Sequence, residues 1–433
     1  MEIPSSPIFY IKNREALATT KLRTDALDII EAGLSAVETQ KVMREQVTRV
    51  GDTIFTGKKN ILLSDFNRVF VVAIGKCAVD AGVVLDDVLG DAITDGIVLD
   101  VKKGQFKHLS SFVGAHPFSS EQNIYATKWI VDMLTGLTKQ DLVFFVISGG
   151  GSALLSLPHK TTPEILEDVV KDLWRCGATI KEVNTVRKHL SDISGGQFAK
   201  LVYPATVISL IFSDVPGNNI ETIASGPAVL DKTTKIDAEK ILHKYWVCHN
   251  PKTRKLEFVE TPKNKKYFAN ITNITVVSND RALVAMKQKA QSLGYQTRIE
   301  SNAIQGEAKK LGEEFAVKKM KAKSCLLYGG ESTVAIKGDG EGGRNQELAL
   351  GATKKIDNHR VVVAVSSDGW DNSDIAGAIA DAGDRVRAEE RGVSIDEHLE
   401  YNNSYNFWKR CGGGIEIGRT GINVADFYFI LTE

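Results

Sequence analysis

The chain has 433 residues, which is enough for two domains of ordinary size. Its 54 basic and 54 acidic residues cancel, so we expect no general attraction to nucleic acid or to an anionic membrane. Five widely spaced cysteines without a C-x-x-C pair argue against a disulfide framework and a zinc site. The sequence shows neither a membrane-length apolar run nor a signal-peptide pattern, so a cytoplasmic protein is predicted.

Short apolar runs alternate with helix-like patterns along most of the chain. The predicted strands are Arg68–Ile74, Asp95–Asp100, Val143–Ile147, Ala205–Ile211, Ile274–Ser278, Gln296–Glu300, Ser324–Tyr328, Ser332–Lys337 and Arg360–Val365. The predicted helices are Gly75–Leu89, Glu121–Leu134, Thr162–Cys176, Val186–Leu201, Arg281–Leu293, Gly306–Met320 and Arg344–Lys355. This alternation predicts a doubly wound, mainly parallel α/β sheet. The polar, lysine-rich stretch Tyr245–Asn270 is interpreted as a connection between domains, which divides the chain into residues 1–265 and 266–433.

The first segment that could contribute to a ligand site is Gly75-Lys76, which directly follows a predicted strand. A lysine at the start of a helix is poorly placed for the helix dipole, and a charged substrate would explain it. A solvated surface lysine is the alternative interpretation.

The most informative segment is Ser148–Ser152, a serine-flanked triple glycine between a predicted strand and a predicted helix. Glycines at such a junction let backbone N–H groups approach an anion closely, and the helix N-terminus adds a positive dipole end. The segment therefore indicates a phosphate site. The alternative is a tight turn that only packs the helix on the strand.

Two further polar clusters follow. Asn184, Arg187 and Lys188 lie within about one helical turn, and arginine matches phosphate or carboxylate oxygens, although a solvated basic helix face is the alternative. Asp214 follows a predicted strand, where a carboxylate suits magnesium binding or proton acceptance but can equally cap a turn.

The segment Gly338–Gly343 matches the dinucleotide pattern G-x-G-x-x-G, between a predicted strand and a predicted helix. Asp339 and Glu341 would place two negative charges beside a pyrophosphate, and Arg344 replaces a small residue at the helix start. An NAD(P)-dependent reductase of hydroxypyruvate or a related three-carbon acid therefore stays the alternative function. The sequence contains no P-loop motif, no G-x-S-x-G and no H-E-x-x-H.

Six segments, in chain order, together resemble the glycerate 2-kinases whose C-terminal part is a MOFRL domain. They are Ile147–Leu155, Asn184–Gly196, Ser213–Gly217 with Ile223–Pro227, Gly329–Thr333, Gly342–Leu348 and Gly418–Asp426. With Gly75-Lys76 the resemblance covers nearly the whole chain. One loop, Ser366–Ala376, departs from the family pattern: Trp370 and Asn372 are unusual there, while Asp368, Gly369 and Asp371 remain.

The resemblance implies ATP-dependent phosphorylation of D-glycerate at its 2-hydroxyl, with Mg²⁺ or another divalent cation. It implies a Rossmann-like N-terminal domain, a smaller α/β C-terminal domain with a MOFRL core at about 323–428, and an active site in the cleft between them. The catalytic residues it implies are Lys76, Arg344 and Asp214. The residues expected to bind the nucleotide are Ser148, Gly149, Gly150, Gly151, Ser152, Asn184, Arg187 and Glu331. Asp214 and Asp368 are the candidate metal ligands. A small-molecule acceptor is expected, with no nucleic acid or membrane partner, and a homodimer is compatible with the sequence.

Overall fold

The computed structural model describes residues 10–213, 220–245, 256–422 and 424–433. The strands are β1 Val47–Val50, β2 Thr53–Thr56, β3 Lys59–Leu62, β4 Arg68–Ile74, β5 Asp95–Asp100, β6 Ser110–Val113, β7 Asp141–Ile147, β8 Thr206–Phe212, β9 Ile271–Val277, β10 Gln296–Ile304, β11 Ser324–Gly330, β12 Arg360–Ser366, β13 Gly377–Ala380, β14 Gly414–Ile415 and β15 Asp426–Thr432. The helices are α1 Arg14–Leu17, α2 Lys21–Ala36, α3 Thr39–Gln46, α4 Ala78–Leu89, α5 Glu121–Met133, α6 Gly151–Leu154, α7 Pro163–Arg175, α8 Ile180–His189, α9 Gln197–Val202, α10 Lys235–Lys244, α11 Asn279–Ser292, α12 Ala308–Ala316, α13 Arg344–Thr353, α14 Ala382–Glu390, α15 Ile395–Glu400 and α16 Ser404–Cys411.

The chain forms two compact units. The parallel-sheet unit comprises the described residues of 39–213 and 220–277, and the mixed-sheet unit comprises those of 10–38 and 278–433. This grouping differs from the predicted division at 265/266. The N-terminal α2 joins the mixed-sheet unit because it packs on α11, where Arg281 Nε donates to the carbonyl oxygen of Ala36 at 2.7 Å. The strand predicted at Ile274–Ser278 lies in the other unit, as β9 beside β8.

The parallel-sheet unit contains six parallel strands in the order β6-β5-β4-β7-β8-β9. Its central strands are mostly apolar because helices cover both faces, and every residue of β7 is buried. Phe145 of β7 stacks on Phe198 of α9 with ring centroids 3.9 Å apart. A three-stranded antiparallel sheet, β1-β2-β3, precedes this core.

The mixed-sheet unit contains six strands in the order β10-β11-β15-β12-β13-β14. Strand β10 runs parallel to β11, whereas β15 lies antiparallel between β11 and β12. Its core is formed by apolar side chains of α12, α13 and α16 against the sheet, including Phe315, Leu348 and Trp408. The fold class is therefore confirmed: a Rossmann-like parallel sheet and a second, mixed α/β unit.

Four local predictions are wrong. The helix predicted from Gly75 begins at Ala78. The helix predicted over Val186–Leu201 is two helices, α8 and α9, because Gly195 and Gly196 both adopt positive φ between them. The strand predicted at Ser332–Lys337 is absent from the described residues, where this stretch is irregular.

The fourth concerns Tyr245–Asn270, predicted to connect two domains. Its described residues 256–270 belong to the parallel-sheet unit, where Val259 N–H donates to the carbonyl oxygen of His189 at 2.9 Å. Among the described residues, none of the helices has both the length and the apolar character needed to cross a membrane.

Candidate active site

The order of the parallel sheet identifies where a ligand site should lie. Counted within this sheet, the strands follow the order 3-2-1-4-5-6, so the chain winds outward in opposite directions from β4 and β7. In open α/β sheets, ligands bind beyond the carboxyl ends of the strands at this switch point. The residues that follow β4 and β7 are Gly75-Lys76 and Ser148–Ser152, the two glycine turns singled out in the sequence.

The two turns interlock. Lys76 N–H donates to the carbonyl oxygen of Gly149 at 2.9 Å, and Cys77 N–H donates to Ser148 Oγ at 3.1 Å. A side chain on Gly75 would place its Cβ 2.2 Å from Ser148 Oγ, and Gly75 has φ +109°. Only glycine fits there, because both the space and the backbone conformation exclude a side chain.

The triple-glycine turn leaves several N–H groups unused. Within the described part of the chain, the N–H groups of Gly149, Gly150 and Ser152 donate to no protein acceptor. Gly150 has φ +82°, and a Cβ there would lie 3.0 Å from His116 Cδ2 and 3.4 Å from Lys76 Cγ. The turn thus combines unused amide donors with a lysine and an imidazole. No pattern in the sequence links His116 to this turn.

The helix that follows the turn is shorter than predicted. Helix α6 spans four residues, Gly151–Leu154, which is one turn. The helix-dipole argument for this segment therefore fails. The dipole argument for Lys76 fails too, because Lys76 lies in a turn before α4 begins. What remains is the local geometry of the amides, which does not depend on a long helix.

A strained segment closes one side of the turn. Ala224, Ser225 and Gly226 are three consecutive residues with positive φ, of 50°, 59° and 58°. A Cβ on Gly151 would lie 2.6 Å from Ala224 Cβ, and the hydroxyls of Ser152 and Ser225 are 2.9 Å apart. Left-handed conformations at non-glycine residues cost about 1 kcal/mol or more each and concentrate at functional sites.

Helix α8 carries Asn184, Arg187 and Lys188, and the three side chains lie in different surroundings. The helix begins with a capping box in which Thr179 and Glu182 bond each other reciprocally. Asn184 is buried, whereas Arg187 lines a pocket together with Ser152 and Ser225. Lys188 instead points to the buried Asp231, with Nζ and Oδ1 3.2 Å apart.

Asp231 holds this side of α8 in place. Burial alone would raise the pKa of Asp231, but contacts with His189, Lys188 and Thr233 outweigh it and lower the pKa well below its ordinary value. Asp231 lies four residues beyond the segment that ends at Pro227, and no sequence pattern indicates its role. Lys188 is therefore a structural residue in this geometry.

In the mixed-sheet unit, Arg344 is held by carboxylates. Its Nε and Nη2 donate to the two oxygens of Asp426 at 2.5 Å and 3.2 Å, and its Nη1 lies 2.9 Å from Glu331 Oε1. Burial disfavours the charged guanidinium, but the two carboxylates outweigh it and raise the pKa of Arg344. Glu331, predicted to bind nucleotide, is thus a partner of the predicted catalytic arginine. Asp426 ends the matched segment Gly418–Asp426 and was missed as a functional residue.

The loop that departs from the family pattern lies beside Arg344. Buried Asp371 accepts hydrogen bonds from Gln346 N–H at 2.9 Å and from Asn345 Nδ2 at 3.2 Å, so it caps the start of α13. Asp368 accepts from Ser366 Oγ at 2.8 Å and from Trp370 N–H at 3.0 Å. The predicted Asp214 lies outside the described residues.

Backbone N–H groups of the Gly338–Gly343 segment are already hydrogen-bonded to another part of the chain. Lys337 N–H and Gly338 N–H both donate to Asn402 Oδ1, at 2.6 Å and 3.2 Å, and Gly340 N–H donates to the carbonyl oxygen of Tyr401 at 3.0 Å. A Cβ on Gly338 would meet the Tyr401 backbone at 2.5 Å. Its glycines serve close packing, and among the described residues no strand leads directly into it, as a dinucleotide fold would require.

Comparison with known proteins gives consistent matches. A family profile described as a domain of unknown function (DUF4147) matches residues 25–260, and the MOFRL family profile matches residues 324–426. A D-glycerate 2-kinase from Thermotoga maritima is 32% identical, covering 94% of this chain and 97% of that protein. A glycerate 2-kinase from Pyrococcus horikoshii is 36% identical, covering 92% and 96%. A protein named putative hydroxypyruvate reductase from Agrobacterium vitis is 35% identical, covering 84% and 87%. The crystal structure of a glycerate kinase from Thermotoga maritima matches with a TM-score of 0.81 at 31% identity, covering 94% and 99%.

Proposed function

This chain belongs to the glycerate 2-kinase family with a C-terminal MOFRL domain, and we propose on that premise that it transfers the terminal phosphoryl group of ATP to the 2-hydroxyl of D-glycerate. The products are 2-phospho-D-glycerate and ADP. The acceptor and the position of transfer come from the names of the relatives.

One observation in the structure carries the proposal. The unused N–H groups of Gly149, Gly150 and Ser152 lie at the switch point of the parallel sheet, next to Lys76. Backbone amides in a glycine turn, with a nearby cation, are a common way of binding phosphate oxygens. The terminal phosphates of ATP are the ligand that this arrangement fits.

Phosphoryl transfer needs positioning and charge neutralisation more than covalent help. In the proposed mechanism the turn amides hold the phosphates, and Lys76 stabilises negative charge on the transferred group. Arg344 contributes a second cation, whose direction is fixed by Asp426 and Glu331. Asp214 would accept the hydroxyl proton or help hold Mg²⁺.

The described residues contain no group of three or more His, Cys, Asp or Glu side chains arranged to hold a metal ion. Mg²⁺ is usually bound by one or two carboxylates together with substrate phosphates, so the residues present fit an ion that arrives with ATP. Asp368, with Asp214 outside the described residues, is the carboxylate proposed to contact it. Bound Mg²⁺ would neutralise phosphate charge. The homodimer and the cytoplasmic location stay predictions.

A reductase acting on hydroxypyruvate is the second candidate, because one relative carries that name. The occupied amides of Gly338–Gly343 weigh against it, since that segment was its motif in this chain. Loss of NADH absorbance with hydroxypyruvate would favour it over the kinase.

The kinase is tested by a coupled assay with ATP, Mg²⁺, D-glycerate and enolase, in which the formation of phosphoenolpyruvate is followed. Enolase accepts the 2-phosphate and not the 3-phosphate, so the signal also reports the position of transfer. We expect Lys76→Ala and Arg344→Ala each to lower kcat by at least about 100-fold, the effect of losing one transition-state charge contact of about 3 kcal/mol.

Lys128→Ala is the matched control, since this exposed lysine lies on α5 and belongs to neither glycine turn. It should leave kcat unchanged, and thermal unfolding should show that all three variants fold. A folded Lys76→Ala variant with wild-type turnover would remove Lys76 from the mechanism. Wild-type protein that forms no phosphoenolpyruvate would contradict the proposed function itself.

A further inference from the structure

The pocket lined by Arg187, Ser152 and Ser225 lies beside the triple-glycine turn, within the parallel-sheet unit. One wall is apolar, formed by Leu155, Leu166 and Val170. Six serines supply the polar part of the lining: Ser119, Ser152, Ser156, Ser191, Ser194 and Ser225. Ser152 belongs to both the turn and the pocket. A ligand bound here would therefore lie next to the amides proposed to hold the phosphates of ATP.

Arg187 supplies the positive charge of this pocket. Its guanidinium packs on the Trp174 ring at 5.6 Å, and among the described residues it makes no ion pair. The other charged residue of the lining, Glu167, is paired with Lys171 one helical turn along α7. Because burying a cation without a counter-charge is unfavourable, a partly buried arginine that lacks an ion pair and lines a pocket indicates an anionic ligand. Burial also lowers the pKa of Arg187, as expected for such a group.

The serine hydroxyls are arranged to serve a ligand. The hydroxyl oxygens of Ser152 and Ser225 are 2.9 Å apart, and Ser191 donates to Ser194 Oγ at 3.1 Å. Hydroxyl hydrogens rotate freely, so such pairs can redirect donors and acceptors to a bound hydroxy acid. The left-handed backbone at Ser225 places its hydroxyl beside that of Ser152, and backbone strain of this kind is common at functional sites.

We propose that this pocket binds the carboxylate end of the acceptor acid and that Arg187 determines the enzyme's specificity for an acid. The inference rests on the proposed kinase function and deepens it. It differs from the sequence-based prediction, which gave Arg187 to the nucleotide. Because Lys171 neutralises Glu167, Arg187 leaves the lining with one positive charge, which suits a monoanionic hydroxy acid better than a triphosphate. The fork of a guanidinium also matches the two oxygens of a carboxylate.

The test separates the two substrates kinetically. Arg187→Gln removes the charge and keeps a shorter polar side chain, and Arg187→Lys keeps the charge without the fork. We expect Arg187→Gln to raise the KM for D-glycerate by about 30-fold or more, as for the loss of a charged hydrogen bond, while the KM for ATP changes by less than about threefold. Arg187→Lys should lie between that variant and wild type.

A second readout uses glyceramide, the uncharged amide of the same acid. Wild-type enzyme should prefer D-glycerate strongly, and Arg187→Gln should lose most of that preference, which a merely structural role for Arg187 would not produce. A raised KM for ATP with an unchanged KM for D-glycerate would overturn the inference, and so would unchanged values for both substrates. Should Arg187→Gln fail to fold, the same comparison of KM values for Arg187→Lys decides. Inactive wild-type protein would instead overturn the proposed function.

Discussion

At the scale of single residues, Asp371, which caps the start of α13, should make the stability of the fold depend on pH. Burial raises the pKa of Asp371 to about 6, against an ordinary value of 3.8. A carboxyl group with a raised pKa in the folded state stabilises the fold most at low pH, and this contribution disappears as pH rises through about 6. We expect the stability of wild type relative to Asp371→Asn to fall by about 3 kcal/mol between about pH 4 and pH 7. Urea unfolding of both proteins across this range measures it.

Asp374→Asn is the control for this prediction. Asp374 lies in the same loop but is exposed and paired with Lys409 at 3.1 Å, and hydrogen bonding to Tyr405 and Lys409 outweighs slight burial and lowers its pKa. Its effect on stability should be almost constant above about pH 5, because the group is ionised there in both states. A pH-independent difference between wild type and Asp371→Asn would show that burial does not control the ionisation of Asp371.

At the scale of elements, helices α12 and α13 pack so closely that the backbone of each lies against a glycine of the other. A Cβ on Gly312 would lie 1.9 Å from the carbonyl oxygen of Leu348, and one on Gly351 would lie 2.5 Å from that of Lys309. Alanine normally stabilises a helix relative to glycine by about 1 kcal/mol, but here the helices would have to separate. Gly312→Ala should therefore lower the free energy of unfolding by about 1–3 kcal/mol.

Gly383→Ala gives the contrast, because Gly383 lies in α14 and its added Cβ would meet only side-chain ends, Asp381 Oδ1 at 3.0 Å and Arg387 Nη1 at 3.3 Å. This variant should be as stable as wild type or slightly more stable. Thermal or urea unfolding of both variants distinguishes the two cases. Equal stability of Gly312→Ala and wild type would mean that the helices are not packed as closely as described.

Element prediction from this sequence succeeded where a local pattern decides the structure. The strand Arg68–Ile74 was predicted with its observed bounds, because a buried parallel strand is a continuous apolar run. Short elements such as β14 were not predicted, since two paired residues at a sheet edge leave no periodic signal. The helix predicted to follow Ser148–Ser152 is a single turn, α6, because Leu155 with φ −83° and ψ 86° already lies outside the helical region.

The candidate site shows the same division at the scale of the whole molecule. The glycine turns at Gly75 and Ser148–Ser152 could be predicted because glycine content after a strand is visible in sequence. The approach of His116 to Gly150 and the hydrogen bond from Lys188 to Asp231 could not be predicted, because each joins segments at least 34 residues apart through tertiary folding. Strand order belongs to this second class, since alternating strands and helices are compatible with several sheet orders.

Strand order leads to a prediction for the molecule as a whole. If the phosphates of a nucleotide occupy the switch point, ADP should slow hydrogen exchange at the amides of Gly149, Gly150 and Ser152, which donate no hydrogen bond in the described part of the chain. Peptides around Thr138–Asp141, at the N-terminal end of β7 and therefore at the other end of the strands, should exchange at an unchanged rate. Exchange followed by mass spectrometry with and without ADP and Mg²⁺ tests both expectations. Protection of Gly338–Gly343 with the glycine turn unaffected would contradict the assignment, because it would place the nucleotide on the segment whose amides are bonded to Tyr401 and Asn402.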